Sequence, residues 1–365
     1  MTDAELGAWL RLLATPGVGN THARKLLAAF ASPQAVFQQD PAAWSAVVGP
    51  RLAESLAATP PEWAAQCERT QTWLAADSRH QVLTLGDPSY PAELLQTEDP
   101  PLLLYLLGQP EALRHPRKLA IVGSRNPTPQ GIDNARLFAH ALAERGLCVV
   151  SGLALGVDGA AHQGALDGGG PTLAVVGTGL DRVYPRRHLA LAHRIAEQGA
   201  LISEYPLGTP PLAPNFPKRN RVIAGLSMGT LVVEAAVQSG SLITAHLATE
   251  MGREVFAIPG SIHAPQARGC HALIRQGAKL VESAQDILED LRLADPAPAT
   301  QAHPTRQEED TPLLAALGYD PVGLDALQAR TGLDTATLQA ELLTLELEGR
   351  LQRLPGGLFQ RLAQG

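Results

Sequence analysis

Leu119-Ala120-Ile121-Val122-Gly123-Ser124-Arg125 sets a short apolar run directly before a glycine, a hydroxyl and a cation. Further apolar runs follow at 147–150, 172–176, 200–203, 230–233, 254–258 and 279–281, each rich in Val, Ile and Leu, with roughly helix-sized intervals between them. Short apolar runs alternating with helical stretches are the pattern of parallel strands covered on both faces. The reading is a doubly wound α/β domain with a parallel sheet over residues 76–293.

In such a sheet ligands bind beyond the carboxyl ends of the strands, where the following helices direct unpaired N–H groups into the crevice. Those ends carry Gly123-Ser124-Arg125, the stretch from Ser151-Gly152 to Asp158, Gly177-Thr178-Gly179-Leu180-Asp181-Arg182, Ser203-Glu204-Tyr205-Pro206, residues 234–241 and Pro259-Gly260-Ser261. Glycine for close backbone approach, serine as a donor and arginine as a guanidinium fork are what a phosphate-lined groove needs. Ser239-Gly240-Ser241, with Thr244 one turn on, opens the helix after the Val232-Val233-Glu234 run; its amides and hydroxyls suit a phosphate, and simple serine N-capping is the equal alternative.

Phe216-Pro217-Lys218-Arg219-Asn220-Arg221 concentrates fixed positive charge. An apolar core has no use for unpaired cations, so the run points to a polyanion, against the plainer reading of a solvated helix start. The chain as a whole is acidic, with 29 Lys and Arg against 36 Asp and Glu and a net charge of -7. That excludes a nucleic-acid binder that relies on overall attraction. Windows 114–125, 182–194 and 218–221 nevertheless contain basic residues and no acid.

With 365 residues, 45% of them hydrophobic and 18% charged, the chain has ample material for a folded core and suggests two or three domains. Cys67, Cys148 and Cys270 are widely spaced and odd in number, which argues against a disulfide framework or a zinc site and for a reducing compartment. Met1-Thr2-Asp3-Ala4-Glu5 lacks a basic leader, and the apolar run 102–107 is too short to cross a bilayer, so a cytoplasmic protein without membrane contact is expected.

Residues 1–75 read as helices, with Leu6, Leu10 and Leu13 on one face before Thr15-Pro16-Gly17-Val18-Gly19-Asn20-Thr21 breaks the pattern. Val47-Val48-Gly49-Pro50-Arg51-Leu52 is a weaker second copy. Paired Gly turns of this kind, with Arg24 and Lys25 nearby, suit the phosphates of double-stranded DNA; a purely structural helical domain is the slightly favoured alternative. Residues 294–311 are Pro-rich and polar and read as a linker. Residues 312–365 give a helix-turn-helix and a hairpin, a winged-helix pattern whose second helix carries Asp334, Glu341, Glu346 and Glu348 without Lys or Arg. Such a face repels a major groove and suits a protein contact or a dimer interface.

Enzyme readings are weak. Gly177-Thr178-Gly179 is followed by Arg182 where a dinucleotide fingerprint places its third glycine, and no Gly-rich run ends in Gly-Lys-Ser or Gly-Lys-Thr. A nucleotide N-glycosidase of the lysine-decarboxylase-like type remains the alternative, but Leu226 to Glu234 lacks the first glycines of that motif and has its Glu one place late. Asp158, Asp181, Glu204 and Glu234 are candidate acids or bases, and more often such groups orient arginines.

Taken together, Gly123-Ser124-Arg125, Ser151-Gly152-Leu153-Ala154-x-Gly156-x-Asp158, Ala161-His162, Gly177-x-Gly179-x-Asp181-x-x-Tyr184-Pro185, Ser203-Glu204, Phe216-Pro217-x-Arg219-Asn220-Arg221, Glu234-Ala235 to Ser239-Gly240-Ser241 and Ala257-x-Pro259-Gly260 resemble the DNA-processing protein A (DprA/Smf) family. The resemblance implies an extended Rossmann-like domain between an N-terminal helical, SAM or helix-hairpin-helix-like domain and a C-terminal winged helix. It implies a non-enzymatic binder of single-stranded DNA that protects incoming strands in natural transformation and competence, loads the RecA recombinase, and forms a homodimer through its α/β domain. The expected DNA-contacting set is Gly123, Ser124, Arg125, Ser151, Gly152, Gly179, Arg182, Phe216, Lys218, Arg219, Asn220, Arg221, Ser239, Gly240, Ser241 and Thr244, with the cations on phosphates and Phe216 offering a face to a base. No cofactor, metal ligand or catalytic residue is expected. Leu155 stands where the family commonly has a basic residue, and His188 where Asn is usual.

Overall fold

The computed structural model describes residues 1–293 and 311–362. All of the expected linker except Thr311 therefore lies outside the described residues, as do residues 363–365. A nine-stranded sheet organises the centre of the chain, with strands β1 (His80–Thr84), β2 (Leu103–Gly108), β3 (Lys118–Val122), β4 (Cys148–Ser151), β5 (Thr172–Val175), β6 (Ala200–Ser203), β7 (Gly229–Val232), β8 (Glu254–Ala257) and β9 (Lys279–Leu280). Their spatial order is β1-β2-β6-β5-β4-β3-β7-β8-β9. From β6 to β9 every pairing is parallel, as the apolar runs predict. β1 and β2 are antiparallel additions on the β6 side, so the sheet is mixed rather than purely parallel. The run 102–107 supplies β2, whose residues Leu103 to Leu106 are all 0–1% exposed; buried on both faces, it shows no alternation to mark it as a strand.

Helices Pro129–Glu144, Val157–Asp167 and Ala284–Asp290 cover one face of the sheet, and helices Pro110–Arg114, Asn215–Leu226 and Gly240–Glu250 the other. The chain leaves β3 toward β4, β5 and β6, then returns to the opposite flank of β3 with β7. This reversal makes the β3/β7 boundary the topological switch point, where the two following loops diverge and leave a crevice.

Helices Asp3–Ala14, Asn20–Phe30, Pro33–Phe37, Pro41–Val48, Pro50–Ala57 and Trp63–Ala76 build the N-terminal part. Gly17 and Gly49, at φ of +81° and +85°, make the turns read as paired Gly breaks. These helices share one apolar cluster with β1, β2, β5 and β6, and Thr70 Oγ1 lies 3.3 Å from the Tyr105 hydroxyl across that seam. At the other end, helices Pro312–Leu317, Leu324–Thr331 and Thr335–Leu347 pack on a three-stranded sheet of β10 (Val322–Gly323), β11 (Leu351–Leu354) and β12 (Leu358–Arg361). Gly356 and Gly357, both at positive φ, close the β11–β12 hairpin. Gln360 Nε2 donates to Gln130 Oε1 at 3.3 Å, tying this winged helix to the central domain. No helix among the described residues is long and apolar enough to cross a membrane.

One buried histidine makes the fold acid-sensitive. His162 is 0% exposed with Nδ1 2.7 Å from Thr172 Oγ1, and burial, aided by His188 and Arg219, holds its pKa down to about 3. The unfolded imidazole titrates near about 6.5, so between these values only the unfolded chain carries the proton. Stability therefore falls as pH drops from about 6.5 toward 3 and is indifferent to this group above that window. Urea unfolding at pH 6.5 and 4.5 should show a loss of about 2 kcal/mol that a His162→Gln variant lacks.

Candidate nucleic-acid interface

A cleft of about 430 Å³ opens at the β3/β7 switch point. Residues 123–126 line it from the end of β3, Ala154 from the loop after β4, Asp158 from the start of helix Val157–Asp167, Phe216, Pro217, Arg219 and Asn220 from the start of helix Asn215–Leu226, and Ala236, Gln238 to Ser241 and Thr244 from the segment after β7. Two glycines let these walls meet. A Cβ on Gly123 would stand 2.7 Å from Val157 Cγ2, and Gly156, at φ +80°, sits with its own Cβ position 2.4 Å from the Ser124 carbonyl oxygen.

Arg125 is exposed and has no ion pair among the described residues. Its guanidinium carbon lies 5.5 Å from the centroid of the Phe216 ring, in cation–π range. Across the cleft, Ser239 Oγ accepts only a long 3.4 Å bond from Ser241 N and sits 2.7 Å from Ser241 Oγ. The serine cap is thus present but weak, and the positive end of helix Gly240–Glu250 faces the same space as Arg125. Asn220 Nδ2 donates to the Gly240 carbonyl at 3.2 Å and holds the two helix starts together.

The cationic run does not act as a unit. Successive helical residues rotate by about 100°, so Phe216, Arg219 and Asn220 share a face while Lys218 and Arg221 turn away. Lys218 lines a second cleft of about 590 Å³, between the hairpin residues 17–22 and Asp99, Glu204 and Tyr205. Arg221 is neutralised by Glu204, which its Nη2 contacts, and by Asp99 at 3.5 Å from Nε. Arg219 reaches the cleft wall but is only 4% exposed, donates to the Val175 carbonyl, and has its pKa lowered to about 10, first by desolvation. It shapes the groove floor more than it presents a free charge.

Four other expected contacts lie outside the cleft. Ser151 is 0% exposed and donates to the Ile121 carbonyl at 2.6 Å, a bond that fixes β4 to β3. Gly152 makes room for Arg219. Gly179 serves the loop after β5, where its N donates to Thr209 O at 3.1 Å, and Arg182 pairs with Asp181 at 3.3 Å. The basic window 114–125 also thins out: Lys118 is 1% exposed and donates to Glu93 at 2.9 Å and to the Leu113 and His115 carbonyls, while Arg114 pairs with Glu111.

The candidate acids are all engaged as anchors. Asp158 accepts from the Gly152 and Ala154 amides at 3.1 and 3.2 Å, and burial pushes its carboxyl up against the opposing pull of Arg219 and Arg125. Glu234 accepts from Thr128 N at 2.9 Å and from its hydroxyl, joining the β3 and β7 loops, with burial again raising its pKa. Asp181 accepts from Gly208 N at 2.7 Å, and Glu204 holds Arg221. His188 Nδ1 lies 3.0 Å from the Leu153 carbonyl, bracing the loop after β4 from outside. Leu155 does not line the cleft.

Asn126, Ala154, Asp158, Ala236 and Gln238 line the cleft without having been expected as contacts. Tyr184 belongs to the family motif but not to the expected contacts, and its ring lies 5.7 Å from that of Phe216; an aromatic in a glycine-rich strand-end loop is the available signal.

A family model described as DNA recombination-mediator protein A matches residues 81–292, and one described as the DprA winged helix domain matches residues 297–357. The chain belongs to the DprA/Smf family. Protein Smf of Escherichia coli (strain K12) is 45% identical over 299 residues, covering 80% of this chain and 79% of that protein. The X-ray structure of DprA from Streptococcus pneumoniae superposes with a TM-score of 0.63 at 36% identity, over 80% of this chain and 98% of that one. DprA from Helicobacter pylori, whose structure was described for its unique single-stranded DNA binding mode, gives a TM-score of 0.53 at 32% identity over 59% and 97%. DprA membership brings a DNA-processing, recombination-mediator role.

Proposed function

We propose that this chain is a non-enzymatic mediator that binds single-stranded DNA along the carboxyl ends of the sheet, protects incoming strands during natural transformation and loads RecA on them. One observation carries the reading: an exposed Arg125 with no ion pair among the described residues, an aromatic ring and a weakly capped helix start face one another across the same cleft. A cation and helix amides suit phosphates, and Phe216 suits an unstacked base. The binding mode described for the Helicobacter pylori relative supports it. The engagement of Asp158, Asp181, Glu204 and Glu234 with amides and arginines supports a binder over a hydrolase.

The same proposal takes the protein as a cytoplasmic homodimer. It divides the chain into an N-terminal helical domain (1–75), a DNA-binding α/β domain (76–293), a linker (294–311) and a winged helix (312–365). Duplex contact through the N-terminal hairpins belongs to it as a secondary role, carried by Lys25 and the Gly-turn amides, since Arg24 Nη2 is spent on the Glu98 carbonyl at 2.8 Å. Titrations with matched single and double strands across salt should give tighter single-strand binding, with a slope of about -0.7 per neutralised phosphate. Equal affinity for duplex, or free base released from nucleoside monophosphates, would contradict the proposal.

A further inference from the structure

We infer that Tyr184 is a base-stacking residue that carries the strand out of the switch-point cleft across the end of β5. The inference rests on the single-stranded DNA reading above and adds a subsite to it. Tyr184 is 49% exposed, a large fraction for an aromatic residue, and its hydroxyl has no hydrogen-bond partner among the described residues. Its ring centroid lies 5.7 Å from that of Phe216 with the planes tilted by 38°. Rings at that separation already touch, so a base cannot pass between them; it can stack on the outward part of Tyr184.

Phe216 is in turn 5.5 Å from the Arg125 guanidinium. Arg125, Phe216 and Tyr184 therefore form a row from the end of β3 to the loop after β5, crossing β4 along the sheet edge. Gly177 seats the middle ring, since a Cβ there would stand 3.2 Å from Phe216 Cδ1. Arg186 and Arg187 follow Tyr184 within three residues of the chain, exposed and without ion pairs among the described residues, and supply charge for phosphates on the same loop. The ligand class is an unpaired nucleobase of any identity, because every base offers a π face.

The test uses full-length protein with an oligothymidylate and an oligomer of equal length whose sugars carry no base. Tyr184→Ala should weaken binding to the thymidylate by about tenfold and leave the abasic oligomer unaffected, while Tyr184→Phe keeps wild-type affinity for both. A Tyr184→Trp variant should show fluorescence quenching by the thymidylate and none by the abasic strand. The four native tryptophans, Trp9, Trp44, Trp63 and Trp73, all lie in the N-terminal helices and provide the unquenched reference. Equal loss on both oligomers, or no loss on either, overturns the stacking role while leaving the cleft assignment standing. Wild-type protein that binds neither oligomer overturns the single-stranded DNA reading, and this inference with it.

Discussion

Replacing Arg125 with Glu should lower affinity for single-stranded DNA by about a hundredfold at moderate salt. A hydrogen bond between charged groups contributes about 1.5–3 kcal/mol, and reversing the sign adds repulsion at the same spot. Arg125 is exposed and makes no ion pair among the described residues, and Arg219 pulls harder than it does on the Asp158 carboxyl, so the fold should change little. The salt slope should shrink by about 0.7 for each phosphate contact removed. Fluorescence anisotropy with a labelled oligomer at several salt concentrations reads both quantities. By contrast, Arg221→Glu would place a third acid beside Glu204 and Asp99, and its effect on binding would be confounded with damage to the fold.

Gly152→Ala should destabilise the central domain by about 3 kcal/mol and weaken DNA binding as a consequence. The added Cβ would stand 2.1 Å from Arg219 Nη1 and 2.5 Å from Cζ. A flexible exposed arginine would swing aside, but this one is 4% exposed and bonded to the Val175 carbonyl. Moving it strips a buried cation of its acceptor and leaves the Asp158 carboxylate without its nearest positive charge. Urea unfolding followed by circular dichroism checks the stability loss. Gly240→Ala serves as the control, because nothing lies within 4 Å of a Cβ at that position.

The sheet was legible because strands buried on both faces in a parallel sheet leave apolar runs, and β3 to β8 are of that kind. β2 leaves an equally apolar run, yet it pairs antiparallel to both β1 and β6, and no local signal announces that. The position of the candidate site followed from the strand ends, and Gly123 to Arg125 do share a cleft with Ser239 to Ser241 and Thr244; that the cleft opens at the switch point needs the strand order, which the sequence does not state. Side-chain direction was the illegible part. Lys218 to Arg221 looks like one charge patch in a line of text, but a helix distributes it over three surroundings: a second cleft, the groove floor and a partly buried ion pair. Lys118 shows the same limit, since the carboxylate that pairs with its ammonium belongs to Glu93, which the sequence does not place beside it.

A crystal structure of the protein with a short oligothymidylate bears most directly on the proposed groove. A phosphate within hydrogen-bond reach of Arg125 and the Ser239 to Ser241 helix start, with a base against Phe216, is the expected result. A strand lying along another face, with the switch-point cleft empty, would contradict it.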